Sequence, residues 1–147
     1  YKFNPDRTKS PNNIQGPVSW AKTWDLSFIA EQVSHHPPIS AFYAECPEAK
    51  VSCNAYIYTK SRFLGLSIGV QNIGKGVVSL HQYDEDYEFN FPSGYARSII
   101  SVPWFELGGK CYLKCEKTRY HAQIEFTCKS LFNTKKHKIH ISLLYVR

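Results

Sequence analysis

From residue 26 onward, apolar and polar residues alternate in short runs along the chain. In the run 120–129 every second residue is apolar or aromatic, and the residues between them are polar or charged. The run 86–91 repeats this pattern, with three aromatic residues on one side. A period of two residues predicts antiparallel strands with one buried face and one face in water.

Eight further runs have the length and the composition of strands, and turn residues separate them. Three clusters rich in glycine or proline are expected turns, at residues 74–76, 92–94 and 108–109. About ten short strands with tight connections predict a mostly β fold, an antiparallel meander that curls into part of a barrel. The eight further runs are 26–30, 39–46, 51–59, 63–70, 77–83, 97–102, 111–117 and 138–145.

The length of 147 residues corresponds to a single domain. Residues 1–23 contain three prolines and show no periodicity, so we expect an irregular lead-in, and the strands occupy 24–147. No apolar run approaches the roughly 18 to 20 residues that cross a bilayer. The first residues have neither a Met nor the layout of a secretion signal, so we expect part of a longer chain.

Composition narrows the class of protein further. Hydrophobic residues make up 43% and charged residues 20% of the chain, which is typical of a globular domain. The five cysteines are odd in number and form no C-x-x-C pair, which argues against a disulfide framework or a zinc ribbon. We therefore expect reduced thiols and a cytoplasmic protein.

The net charge of +6 biases the surface toward anionic partners, which include lipid headgroups, nucleic acid and acidic proteins. Part of the excess lies in the segment Lys135-Lys-His-Lys138, for which a solvated hairpin turn is an equal alternative. No single-strand stacking motif accompanies the charge, so nucleic acid is not an expected partner.

The segment Ser34-His35-His36-Pro37-Pro38 is the strongest candidate for a binding site. Two successive prolines exclude the middle of a sheet, and Pro37 holds His36 in an extended conformation. A rigid corner therefore presents two imidazoles, whose protonated forms donate hydrogen bonds to an anion such as phosphate. In the structural alternative, one histidine is a satisfied core residue and the other is solvent-exposed.

Other chemistry has weaker support in the sequence. Adjacent histidines lack metal-ligand spacing, so we expect no metal and no cofactor. The glycines of 69–76 do not have phosphate-loop spacing, and no nucleophile elbow is present. An enzyme that uses His35 or His36 as a general base is an alternative that a carboxylate within reach of either ring would favour. The prediction is therefore a protein that is not an enzyme.

The octapeptide Glu31-Gln-Val-Ser-His-His-Pro-Pro38 matches at every position the fingerprint of the oxysterol-binding-protein-related family. The similarity extends over about residues 28–138 and resembles the subgroup of related proteins nine, ten and eleven. Further matching segments are 39–46, 59–70, 83–87, 91–95, 97–104 and 106–109.

This resemblance implies a fold, a function and a site. The family's domain is a large, incomplete antiparallel barrel that encloses one lipid under a lid. Its members bind sterol or phosphatidylserine, many also bind phosphatidylinositol 4-phosphate, and they exchange lipids between membranes. The chain would then be cytoplasmic and peripheral at anionic membranes, at contacts of the endoplasmic reticulum, Golgi or endosomes. The family's paired histidines coordinate the headgroup phosphate, which assigns that role to His35 and His36. Asn4 keeps its place in an upstream family motif and is expected to contribute.

The sequence also departs from the family pattern. Tyr1 occupies the position of a phosphate-binding lysine, and Lys2 matches it only after a shift of one residue. After Lys129 a different sequence replaces the family's glycine-rich segment, and we expect the lid and the later strands to be missing from this piece. The alternative function is therefore a truncated piece that transfers no lipid and acts in interaction or regulation.

Overall fold

A computed structural model describes residues 21–98, 100, 102–129 and 137–145. The described residues form nine β-strands and no helix. The expected lead-in at 1–23 lies almost entirely outside these residues and remains a prediction. The strands are β1 Ser27–Ser34, β2 Ile39–Cys46, β3 Val51–Phe63, β4 Ser67–Leu80, β5 Glu85–Asn90, β6 Ser93–Arg97, β7 Trp104–Cys115, β8 Tyr120–Thr127 and β9 Lys138–Tyr145.

All strands join one antiparallel sheet in the order β1-β2-β3-β4-β5-β7-β8-β9. Strand β6 continues the line of β5, because both pair with β4 on one side and with β7 on the other. Neighbours along the chain are therefore neighbours in the sheet, as expected for a meander of hairpins. The predicted antiparallel meander is confirmed.

The three turns predicted at glycine clusters are wrong. Residues 74–76 lie within β4, residues 108–109 lie within β7, and Ser93 and Gly94 open β6. Glycine suits turns, but it also suits strand positions that need an unusual backbone, and Gly109 has φ 98°. The real turn between β3 and β4 falls at residues 64–66, inside the run predicted as a strand at 63–70.

Two asparagine side chains bridge the break between β5 and β6. At this break Pro92 has no amide hydrogen to donate to a neighbouring strand. Asn72 of β4 donates from Nδ2 to the carbonyl of Pro92 at 2.8 Å. The Oδ1 of Asn90 accepts from the amide of Tyr112 in β7 at 2.7 Å. Side-chain amides thus replace ladder bonds at the break and keep β4 and β7 aligned on either side.

The strand register separates an apolar face from a polar face. Paired residues in antiparallel strands project to the same side of a sheet. The row through Ala55 is apolar from β2 to β9, and the neighbouring rows repeat this; we call this side the apolar face. Members of the row are Phe42, Ala55, Gly76, Phe89, Leu113, Ala122 and Leu143.

The apolar face has no second layer of described residues packed against it. The buried hydrophobic residues are few and small, namely Ala55, Cys111 and Cys115. In contrast, Ile141 and Leu143 of the terminal strand β9 are 68% and 69% exposed. A single sheet cannot bury its own apolar face, so this surface is open to a lipid or to further protein.

Candidate functional site

The paired histidines lie in the turn that joins β1 to β2. Residues 35–38 form this turn, and the strands on either side meet in the pair Ser34 and Ile39. The register shifts between Gln32 and Ser34, where the Gln32 side chain donates to the Ser34 carbonyl at 3.2 Å. The two prolines thus end the hairpin in a short loop, as the sequence predicted.

The two imidazoles lie side by side in solvent. The ring centroids of His35 and His36 are 4.2 Å apart with 49° between the ring planes. Both residues are exposed, so the alternative in which one of them is a core residue is wrong. In the described part of the chain no hydrogen bond or ion pair joins either ring to a carboxylate. The ring nitrogens are therefore available to an external anion.

A second histidine arrangement occurs at the opposite end of the sheet. The Ser52 hydroxyl lies 2.9 Å from Nε2 of His81, and Ser52 is buried. Within the described ranges no carboxylate contacts the His81 ring, which a hydrolytic triad would need. The pair joins β3 to the end of β4, and we interpret it as a structural contact.

A basic cleft that was not predicted from the sequence lies beside the β3–β4 hairpin. Its volume is about 430 Å³. Lys60 and Arg62 are two positions apart in β3, so both lie on its polar face, and Tyr95 is contributed by β6. The Nζ of Lys60 lies 5.6 Å from the ring centre of Tyr58. The spacing of Lys60 and Arg62, two positions apart, was a feature of the sequence that could have predicted this cleft. The residues that line the cleft include Lys60, Arg62, Leu64, Gln71, Ser93 and Tyr95.

Part of the predicted site falls on residues that the structure does not describe. Asn4 and the lysines 135 and 136 lie outside the described residues, so their expected roles rest on the sequence. Among the residues that the structure describes, no group of three or more His, Cys, Asp or Glu side chains is placed to hold a metal ion. None of the described segments forms a helix able to cross a membrane.

Comparison with protein families gives a match to the oxysterol-binding protein family over residues 14–145. The chain is 58% identical over 125 residues to human oxysterol-binding protein-related protein 9, covering 85% of this chain and 17% of that protein. It is 53% identical over 116 residues to human oxysterol-binding protein-related protein 11, covering 79% of this chain and 16% of the relative. The chain therefore spans about one sixth of the length of these relatives.

Two solved structures share the fold. The Osh3 ORD in complex with PI(4)P, from Saccharomyces cerevisiae, superposes with a TM-score of 0.69 at 23% identity, covering 79% of this chain and 31% of that one. The Osh1 ORD in complex with cholesterol gives a TM-score of 0.72 at 22% identity, covering 85% and 30%. The predicted mostly β, barrel-like class of fold is confirmed by these neighbours. The family match over most of the chain and the identities above 50% show that this chain belongs to the oxysterol-binding protein family.

Proposed function

We propose that the chain binds a membrane lipid and takes part in its transfer between membranes. The exchanged ligands are sterol or phosphatidylserine on one side and phosphatidylinositol 4-phosphate on the other. The headgroup phosphate binds at His35 and His36, with Asn4 as a further contact. The observation that carries this proposal is the exposed turn with ring centroids 4.2 Å apart.

The apolar face supplies a surface for the lipid's hydrocarbon. It extends without a charged residue along the row from Phe42 to Leu143. Transfer of acyl or sterol surface from water to this face stabilises the complex by about 25 cal/mol per Å². Lipid transfer requires no covalent step, so binding and release are sufficient chemistry for the proposed function.

The solved neighbours support two ligand classes. One neighbour was crystallised with PI(4)P and others with ergosterol or cholesterol. By analogy, we place the protein in the cytoplasm and at contacts of the endoplasmic reticulum, Golgi or endosomes. We expect peripheral attachment to anionic membranes there, in keeping with the net charge of +6.

A second candidate function is supported by the exposed apolar face. Residues such as Ile141 and Leu143 would be covered if this chain packed against another protein. In that case the chain transfers no lipid and acts as an interaction or regulatory piece. The two functions differ in whether the chain removes lipid from vesicles.

Extraction of fluorescent phosphatidylinositol 4-phosphate from vesicles tests the proposal. We expect extraction by the wild type and its loss in His35→Ala/His36→Ala. His137→Ala/His140→Ala is a matched control, because it removes two exposed histidines at the far edge of the sheet. Extraction by the first variant within about twofold of wild type, which is less than 1 kcal/mol, would refute the assigned headgroup site.

A further inference from the structure

The β3–β4 hairpin extends beyond β1 and β2 at its end of the sheet, while β6 and then β7 flank it on the β4 side as far as the pair Ser67 and Arg97. Pairing between β2 and β3 ends at Ile39 and Tyr58, whereas β3 continues to Phe63. Five further residues at about 3.3 Å each carry β3 roughly 17 Å past its last pair with β2. Because β1 and β3 run in the same direction, the His35–His36 turn and this hairpin tip lie at the same end of the sheet.

The tip of the hairpin presents large apolar side chains to water. Phe63 is 69% exposed and Leu66 is 65% exposed. The turn between them is closed by the amide of Leu64, which donates to the Ser67 carbonyl at 2.8 Å. A closed turn fixes these side chains at the end of the hairpin, which β6 supports on the β4 side, and no described residue covers them. Such a tip fits insertion into the boundary of headgroups and acyl chains.

Basic residues follow directly behind the apolar tip. Lys60 and Arg62 line the cleft of about 430 Å³, together with the polar residues Gln71, Ser93 and Tyr95. Neither cation has a carboxylate partner among the described salt bridges. A lipid phosphate next to the inserted tip would meet both cations and nearby hydroxyl and amide donors.

We propose that the β3–β4 hairpin is a membrane-docking element that recognises an anionic phospholipid bilayer. Phe63 and Leu66 enter the bilayer interface, and the cleft at Lys60 and Arg62 receives the phosphate of an anionic headgroup. The proposal rests on the proposed lipid function, since docking at this end presents the His35–His36 turn to the membrane. The docking cleft is separate from the headgroup site at that turn.

Flotation of the full chain with vesicles tests the apolar tip. We expect Phe63→Ser to lower the partition coefficient on vesicles of phosphatidylcholine and phosphatidylserine by about tenfold or more, because a buried phenyl ring is lost. Tyr83→Ser is the matched control: Tyr83 is an aromatic residue that is 59% exposed and lies at the opposite end of the sheet. Unchanged binding by Phe63→Ser, or an equal loss in Tyr83→Ser, would overturn the proposal.

Charge reversal tests the cleft. Lys60→Glu/Arg62→Glu is expected to lower binding to phosphatidylserine-containing vesicles by about tenfold or more and to change binding to pure phosphatidylcholine little. Lys22→Glu/Lys50→Glu makes the same charge change at the opposite end and should have a smaller effect. Equal losses in the two variants would show that net charge alone, and not this cleft, determines attachment.

A second readout separates this proposal from the proposed function. Phe63→Ser should retain binding of detergent-dispersed phosphatidylinositol 4-phosphate, whereas His35→Ala/His36→Ala should lose it and still float with anionic vesicles. If the wild type floats but extracts no lipid, the transfer function fails and the docking element stands. If the wild type extracts lipid and Phe63→Ser floats normally, the docking element fails alone.

Discussion

The Nε of Arg97 lies 2.8 Å from Oε1 of Glu106, and the two residues stand on neighbouring strands of the polar face. Glu106 is only 2% exposed, and its other carboxylate oxygen accepts from the amide of Lys129 at 2.9 Å. The Arg97 guanidinium also lies over the ring of Tyr95 at 4.7 Å. One buried carboxylate thus joins β6, β7 and the segment that follows β8.

Removal of Arg97 alone should lower the free energy of unfolding more than removal of both Arg97 and Glu106. Arg97→Leu leaves a buried carboxylate without its cation and should lower the free energy of unfolding by about 3 kcal/mol. The double variant Arg97→Leu/Glu106→Leu removes the buried charge as well and should be the more stable of the two. Urea unfolding measures both. A double variant less stable than Arg97→Leu would contradict this account.

The same carboxylate should make stability depend on pH. Burial opposes ionisation of Glu106, but hydrogen bonds from the Lys129 amide and from Arg97 outweigh it, so its pKa is lowered. Its contribution is therefore complete above the ordinary glutamate pKa of about 4.3 and is lost as the pH falls through the lower folded-state value. Unfolding measured in this acidic range should show a weaker pH dependence in Glu106→Gln. An identical pH profile in the variant and the wild type would exclude this linkage.

Gly76 should be intolerant of a side chain because of what lies opposite it. An added Cβ would lie 2.9 Å from the Cβ of Ala55 and 2.8 Å from Cε1 of Phe89. Gly76→Ala is therefore expected to destabilise the sheet by about 1–3 kcal/mol, and Ala55→Gly should restore part of the loss. Gly65→Ala is the control, because its cost comes from φ +80° in open space and Ala55→Gly should not relieve it. Thermal unfolding of Gly76→Ala and of Gly65→Ala, each with and without Ala55→Gly, distinguishes a steric cause from a backbone cause.

The 147-residue chain by itself should self-associate. The terminal strand β9 is exposed along its whole length, and its side chains include Ile141, Leu143 and Leu144. An apolar edge of this kind pairs readily with another chain. We expect strong binding of a hydrophobic dye and concentration-dependent sedimentation, with both reduced in Ile141→Lys/Leu143→Lys. A monodisperse monomer with weak dye binding would show that the apolar face is covered.

Local patterns in the chain were sufficient to predict the fold class and the position of the paired histidines. Among regular secondary structures, only a strand with two unlike faces fits the strict alternation of apolar and polar residues at 86–91 and 120–129. Strands β5 and β8 lie at these positions. Two successive prolines likewise exclude a central strand, so the histidines had to lie at a turn. Their role in phosphate binding stays a prediction.

Tertiary pairing decided the long hairpin and the basic cleft. Gly74 and Gly76 fit a turn as well as a strand, and the local sequence does not distinguish the two. Continuous pairing of β4 with β3 across these residues settles the choice in favour of a strand. The cleft likewise combines Lys60 and Arg62 of β3 with Tyr95 of β6, which lies more than thirty positions after them in the chain. Only the sheet register brings such distant residues together, because a local sequence pattern does not identify which strands pair or in which register.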